Sequence, residues 1–149
     1  MVDLLQPTHL AVIFFLFGIL LIPTIFYILT LQHALEKCAP SSRTLAPGMV
    51  WLLLVPLVNM VWHFIVVTGT AQTLANEFRR RSLPSPEPLP GQSIGMAMCI
   101  CSACRIVPII GLLAILPYLV LWIIYWVKIA EYSRSLSVLP QPVLPAAAS

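Results

Sequence analysis

Three cysteines in the second half of the chain have a spacing that could serve metal binding. Cys99, Cys101 and Cys104 follow the pattern Cys-x-Cys-x-x-Cys, and thiolates are ligands for soft metal ions. On a helix, Cys101 and Cys104 lie about 60° apart, whereas Cys99 points roughly 160° away from both on average. One helix therefore cannot aim all three thiolates at one ion. We predict that these small side chains serve close helix packing, with a soft metal on Cys101 and Cys104 plus other ligands as the alternative.

A second set of polar residues lies on one face of a long apolar segment. Residues 49–67 are almost wholly apolar, and the helical pattern then continues in polar form to Arg81. At about 100° per residue, one stripe of this helix carries Asn59, His63, Thr70, Thr73 and Glu77. We call these five residues the polar stripe.

Asn59 and His63 stand one turn apart in the apolar part of that helix. Polar groups in hydrocarbon are costly unless they find partners on other helices. We therefore predict that His63 faces the helix bundle as a neutral imidazole, within hydrogen-bonding reach of another span or of Asn59. A proton relay and a haem ligand are the alternatives, although a bis-histidine haem would need His9 or His33 from the ends of predicted spans.

The last predicted helix adds a third polar constellation. Glu131 lies beside a face that carries Tyr125, Lys128, Tyr132 and Ser135. We predict that Lys128 or Arg134 pairs with Glu77 and so ties two helical hairpins together. A solvated face with snorkelling charges is the alternative.

Composition places the chain among integral membrane proteins. Of its 149 residues 60% are hydrophobic and 9% charged, with a mean hydropathy of +0.97, which is far too apolar for an ordinary soluble domain. The net charge of +3 comes mainly from residues 79–81, so it indicates membrane orientation rather than nucleic-acid binding. The sequence has no nucleophile–base pair, phosphate loop or carboxylate dyad, and we expect neither enzymatic activity nor a cofactor.

The apolar segments predict an all-α fold, an integral membrane bundle of four transmembrane helices in two hairpins. The spans cover about residues 9–31, 49–67, 94–104 and 109–127, with prolines inside three of them that predict kinks. The apolar block 94–127 would be roughly 51 Å long as one helix, well beyond a bilayer of about 30 Å. We therefore divide it near Arg105, Pro108 and Gly111. The short segment 94–104 could instead be re-entrant or tilted.

Residues 1–136 form a single predicted domain, with polar helical extensions after the second and fourth spans. Residues 82–92 have proline at every second position from 84 to 90, which favours an extended linker; an adaptor-domain ligand is the alternative. Residues 137–149 read as a disordered tail. With four spans, five Lys and Arg residues share one side with both termini and three lie opposite, which predicts both termini in the cytoplasm.

The segment WLLLVPLVNMVWHFIVV and the closing WIIYWVKIAEYSRSL resemble uncharacterised small bacterial multi-pass membrane proteins. That family is marked by a Trp-x4-Pro-x2-Asn core in one span and a Trp/Tyr-rich last helix. The resemblance covers roughly residues 30–136. It implies a bacterial inner-membrane location and carries no activity.

Two classes of function remain open from the sequence. The first is a non-enzymatic scaffold or accessory subunit that packs on a membrane-protein partner or on further copies of itself within the lipid bilayer. The second is a small oligomeric transporter or channel whose pathway uses the polar stripe. A pathway needs a continuous polar lining, and only the second span provides one.

Overall fold

The computed structural model describes residues 6–105 and 107–138, without the side chains of residues 13, 16, 17, 20, 56, 57 and 108. Within those ranges every regular element is a helix and no strand occurs, which confirms the predicted all-α class. The α-helices are α1 (Pro7–Glu36), α2 (Pro56–Arg80), α3 (Gln92–Cys104) and α4 (Pro108–Val138). Two 3-10 helices, Pro40–Ser42 and Pro47–Leu54, lie between α1 and α2. The predicted tail at 139–149 lies outside the described residues.

The second predicted span is not one helix, which corrects the prediction for 49–67. Its first part belongs to the 3-10 helix Pro47–Leu54, and Val55 is extended with φ −86° and ψ 109°. A residue before proline disfavours the α conformation, while proline itself suits the first turn of a helix. Pro56 therefore starts α2 instead of kinking a longer helix. The carbonyl of Leu52 accepts from the N–H of Val55 at 3.1 Å.

The other predicted segments begin within two residues of a helix start, at Pro7, Gln92 and Pro108. The polar extension of α2 continues to Arg80, and α4 runs through Pro117 to Val138. The block 94–127 is divided between Cys104 and Pro108. Gly111 allows this tight turn, because a Cβ there would lie 2.7 Å from the carbonyl oxygen of Arg105.

Helices α1, α2 and α4 run in the same direction. The contacts that join α1 to α4 are Tyr27–Trp122, Thr30–Trp126 and Lys37–Ser133, and those that join α1 and the residues after it to α2 are Tyr27–His63 and Ala39–Glu77. Residue numbers rise together along both pairs, which defines parallel helices. The shorter α3 is antiparallel to α4, since Gly95 lies against Tyr125 and Arg105 against Gly111.

Residues 37–55, the return segment, carry the chain back from the end of α1 to the start of α2. Thr44 bonds to Thr73, and the carbonyl of Met49 accepts from the indole of Trp62. The return segment thus runs antiparallel to α2 without forming an α-helix. The start of α1 and the end of α4 consequently lie at opposite ends of the bundle. This geometry does not support two α-helical hairpins with both termini on one side.

Charge is concentrated where α1, α2 and α4 end, which we call the basic end. All but one of the eight Lys and Arg residues lie there, namely Lys37, Arg43, Arg79, Arg80, Arg81, Lys128 and Arg134. The exception is Arg105, in the turn between α3 and α4. Four acidic residues, Glu36, Glu77, Glu87 and Glu131, also belong to the basic end. The opposite end therefore carries no Lys, Arg, Asp or Glu apart from Arg105 in the described residues.

Much of the apolar surface is not covered by the protein itself. Among the described residues, one helix, Ile109–Val138, is long and apolar enough to cross a membrane, and only 11% of its most apolar stretch is buried. The core helix of a soluble protein would bury most of such a stretch. The buried core instead gathers toward the basic end, around Tyr125, Leu35 and Leu74.

Candidate functional site

His63 and Tyr27 form a buried polar pair between α1 and α2. The hydroxyl of Tyr27 lies 3.1 Å from Nε2 of His63, and the two residues are 2% and 5% exposed. Because Tyr27 belongs to α1, the predicted hydrogen bond from His63 to another helix is confirmed. The Tyr27 ring also contacts the rings of Trp122, Tyr125 and Trp126 on α4, so this pair joins three helices.

A cleft of about 200 Å³ opens beside this pair. All four α-helices or the turns between them contribute to its wall, chiefly through Tyr27, Asn59, His63, Arg105, Tyr118 and Trp122. We call it the polar cleft. It lies on the side of His63 that faces away from the basic end, because Asn59 precedes His63 in α2 and Tyr118 precedes Trp122 in α4.

Two polar groups of the cleft, the guanidinium of Arg105 and the side-chain oxygen of Asn59, are free to bind a ligand. The guanidinium carbon of Arg105 lies 5.0 Å from the centre of the Tyr118 ring, a cation–π distance. The Oδ1 atom of Asn59 is buried and accepts no hydrogen bond from a described protein group. An unpaired buried acceptor costs about 1–3 kcal/mol. Of the two partners predicted for His63, another span or Asn59, the structure has the first, Tyr27 of α1.

Farther along α2, the polar stripe serves internal structure. Thr70 and Thr73 are fully buried. The hydroxyl of Thr73 bonds to the carbonyl of Gly69 and accepts from the backbone N–H of Thr44 in the return segment. The hydroxyls of Thr70 and Tyr125 are close enough to interact electrostatically, although no hydrogen bond of normal geometry reaches either one. This part of the stripe therefore fixes the return segment on α2.

Glu77 completes the stripe as a fully buried carboxylate. It accepts from Arg80 and Arg81, both at 2.6 Å, and from the backbone N–H of Ala39 at 3.0 Å. Burial alone would raise the pKa of Glu77, but the hydrogen bonds from Arg80, Ala39, Arg81 and Ser42 together outweigh it and lower this pKa to about 2. Arg81 in turn donates to the carbonyls of Leu136 and Lys37. This cluster joins the ends of α1, α2 and α4.

The predicted pairing of Lys128 or Arg134 with Glu77 is replaced by other partners. Lys128 forms an ion pair with Glu87 of the proline-rich segment, and Glu77 is taken by the arginines of its own helix. An arginine three or four residues away reaches a helical carboxylate easily, whereas Lys128 lies nearer the 82–91 loop. The pKa of Glu87 is lowered by its hydrogen bond with Lys128 and by that with the Gly91 N–H. Glu131 and Arg134 are exposed.

The cysteines take different positions on α3. Cys99 is 1% exposed and belongs to the core, whereas Cys101 and Cys104 are half-buried. In the part of the chain that the structure describes, no three His, Cys, Asp or Glu side chains come together as metal ligands. The core position of Cys99 agrees with the packing prediction.

Tyr27, Arg105 and Tyr118 are the site residues that sequence reasoning did not single out. Periodicity within one helix identified Asn59 and His63, but it contains no information on which residue of another helix faces them. For Arg105 a signal existed, because it is the one basic residue inside the apolar block 94–127.

Comparison with known proteins gives no relative from which a function could be transferred. No protein-family model, no curated protein and no solved structure matches this chain. The resemblance to small bacterial membrane proteins stays a prediction.

Proposed function

We propose that this chain is a multi-pass integral protein of a bacterial inner membrane and serves as a non-enzymatic scaffold or accessory subunit. The observation that carries the proposal is the internal use of the polar stripe. His63, Thr73 and Glu77 each bond to other parts of the same chain, so the stripe offers no continuous polar lining to a solute. What remains on the outside is largely apolar.

The dimensions of α4 favour a membrane location. Its apolar part, residues 109–127, is about 28 Å long at 1.5 Å per residue, close to the hydrocarbon thickness of a bilayer. The return segment, which packs on α1 and α2, can cross beside those two helices, because the hydrogen bonds of the 3-10 helix Pro47–Leu54 satisfy backbone groups that lipid cannot. The parallel directions of α1, α2 and α4 then require five crossings rather than four.

The charge distribution favours one orientation. Cytoplasmic segments of membrane proteins are enriched in Lys and Arg, and seven of the eight such residues share the basic end. We therefore place the basic end in the cytoplasm, with the end of α4 inside and the start of α1 outside. This topology replaces the earlier expectation of two cytoplasmic termini.

A partner would bind on the apolar face of α4. Ile109, Leu112, Leu113 and Leu116 are each more than 70% exposed and follow one face of the helix at helical spacing. A photo-crosslinking residue at Leu113 should yield a discrete adduct with one membrane protein in native membranes. Phe14 on α1, 73% exposed, is the matched control position. Crosslinks only to lipid at Leu113 would contradict the partner on this face.

A small oligomeric transporter is the second candidate, and the polar cleft is the observation that favours it. Further copies of the chain would have to complete a pathway from this cleft past His63. Purified protein in liposomes separates the two candidates. The scaffold proposal predicts no solute or proton flux above that of empty liposomes. Flux that disappears in His63→Gln at unchanged thermal stability would favour transport.

A further inference from the structure

The side chain of Arg105 extends in an unexpected direction for a residue at the end of a membrane bundle. Arginines near the ends of spans normally extend toward water. The guanidinium of Arg105 instead lies over Tyr118, a residue of the apolar part of α4. A cation beside that apolar part is costly in a membrane unless an anion accompanies it.

The described part of the chain supplies no such anion. Glu36, Glu77, Glu87 and Glu131 all belong to the basic end, and none of the ion pairs of the described residues includes Arg105. The fifth acidic residue, Asp3, lies outside the described residues and must be tested directly.

The other residues that line the polar cleft indicate which further chemical groups its ligand has. Oδ1 of Asn59 calls for a hydrogen-bond donor, and Leu53, Leu119 and Trp122 supply apolar contacts. A cleft of about 200 Å³ has room for a small headgroup but not for a lipid tail. The tail would lie along exposed residues such as Leu119.

We propose that the polar cleft binds the headgroup of an anionic phospholipid that carries a free hydroxyl, as phosphatidylglycerol does. The phosphate pairs with Arg105, and the hydroxyl donates to Oδ1 of Asn59. This inference rests on the proposed membrane location but not on the scaffold role. It assigns Arg105 and Asn59 as the two specificity-determining residues of the site.

Native mass spectrometry of the detergent-purified protein tests the phosphate contact. With equimolar phosphatidylglycerol and phosphatidylcholine, the unaltered protein should retain mainly phosphatidylglycerol. Arg105→Gln should reduce this retention about tenfold, the scale of a lost charge-assisted hydrogen bond, and Arg105→Lys should reduce it less. Arg134→Gln, at the basic end, is the matched control and should change nothing. Equal retention by Arg105→Gln and Arg134→Gln would overturn the proposal.

Phosphatidic acid tests the hydroxyl contact, because it has the phosphate without the headgroup hydroxyl. The unaltered protein should prefer phosphatidylglycerol, by about fivefold for one hydrogen bond. Asn59→Leu should remove this preference while retaining phosphatidic acid. An unchanged preference in Asn59→Leu would remove Asn59 from the site.

Two further experiments test whether the anion that pairs with Arg105 is a soluble phosphate compound or Asp3 of the same chain. Glycerol 3-phosphate at micromolar concentration should not displace the lipid, and displacement would assign the cleft to a soluble phosphate compound instead. Asp3→Asn should leave lipid retention unchanged. A lower melting temperature in both Asp3→Asn and Arg105→Gln without lipid, together with no lipid preference, would assign Arg105 to an internal ion pair. Recovery of the chain in the soluble fraction would instead refute the membrane location itself.

Discussion

The hydrogen bond between Tyr27 and His63 is the polar link between α1 and α2 at the level of the cleft. Both partners are almost completely buried, so neither can exchange this bond for one with water. Interhelical hydrogen bonds in membranes contribute roughly 0.6 kcal/mol on average and up to about 2 kcal/mol. The bond is thus expected to fix packing rather than to dominate stability.

Tyr27→Phe should lower the free energy of unfolding by about 1 kcal/mol, because it leaves His63 without this partner. His63→Leu should have a similar effect, and the double variant should be no worse than either single one. Thermal or denaturant unfolding in detergent provides the measurement. Tyr125→Phe is the matched control, since no hydrogen bond of normal geometry reaches that hydroxyl, and it should cost clearly less than Tyr27→Phe. Additive effects of Tyr27→Phe and His63→Leu would contradict the pairing.

Glu77 gives the stability of the protein a dependence on acid. Its pKa is lowered from 4.5 to about 2 in the folded chain, so its contribution is fully present above pH 4.5 and is lost as the pH falls toward 2. Between pH 6 and pH 3 this loss is about 2 kcal/mol. Glu77→Gln should be less stable by roughly 3 kcal/mol at pH 6 and should lack this part of the pH dependence. Glu131→Gln, at an exposed site, should behave like the unaltered protein in detergent melts across this pH range.

At the scale of the helices, a single glycine determines how closely α3 approaches its neighbours. A Cβ at Gly95 would lie 2.8 Å from Cε2 of Tyr125 and would also meet the side chain of Val67. Both contacts belong to the buried core, where neither ring nor β-branched side chain can move freely. Small residues often permit such close approaches between membrane helices.

Gly95→Ala should therefore destabilise the protein by about 1–3 kcal/mol, the usual range for overpacking. Gly18→Ala is the matched control on α1, because a Cβ there meets nothing within 4 Å. It should be neutral or slightly stabilising, since alanine favours a helix more than glycine does. Melting temperatures of the two variants in the same detergent test the contrast. Equal destabilisation by both would mean that helix propensity rather than packing governs these sites.

For the whole molecule, chain direction and charge together predict topology. A reporter inserted at Ser85 or joined after Ser149 should give a cytoplasmic signal, because both sites follow the basic end. A tag joined at Met1 should be accessible from the periplasmic side of the membrane. Four α-helical spans would predict all three sites in the cytoplasm, so the tag at Met1 distinguishes the topologies. Cytoplasmic protection of that tag would contradict the parallel arrangement of α1 and α4 across the membrane.

The sequence by itself determined the helical class, the polar stripe and most helix boundaries. These follow from local rules, namely the 3.6-residue period, the apolar run lengths and the position of proline. The break at Val55 also follows from a local rule, because Pro47 begins the 3-10 helix and Pro56 comes directly after Val55. The continuous apolar run 49–67 nevertheless favours one unbroken span over a break at the proline.

Only the tertiary structure decided the partners and directions. Tyr27 and His63 are 36 residues apart, and no periodicity within either helix indicates that they meet. The same holds for Lys128 with Glu87, which replaces the expected pair with Glu77. The return segment sets the direction of α2. In the resulting arrangement seven Lys and Arg residues lie at the basic end, whereas the predicted four-span topology has five on the cytoplasmic side. Contacts between distant segments depend on how the helices are packed together, and a one-dimensional pattern of residue types does not contain that information.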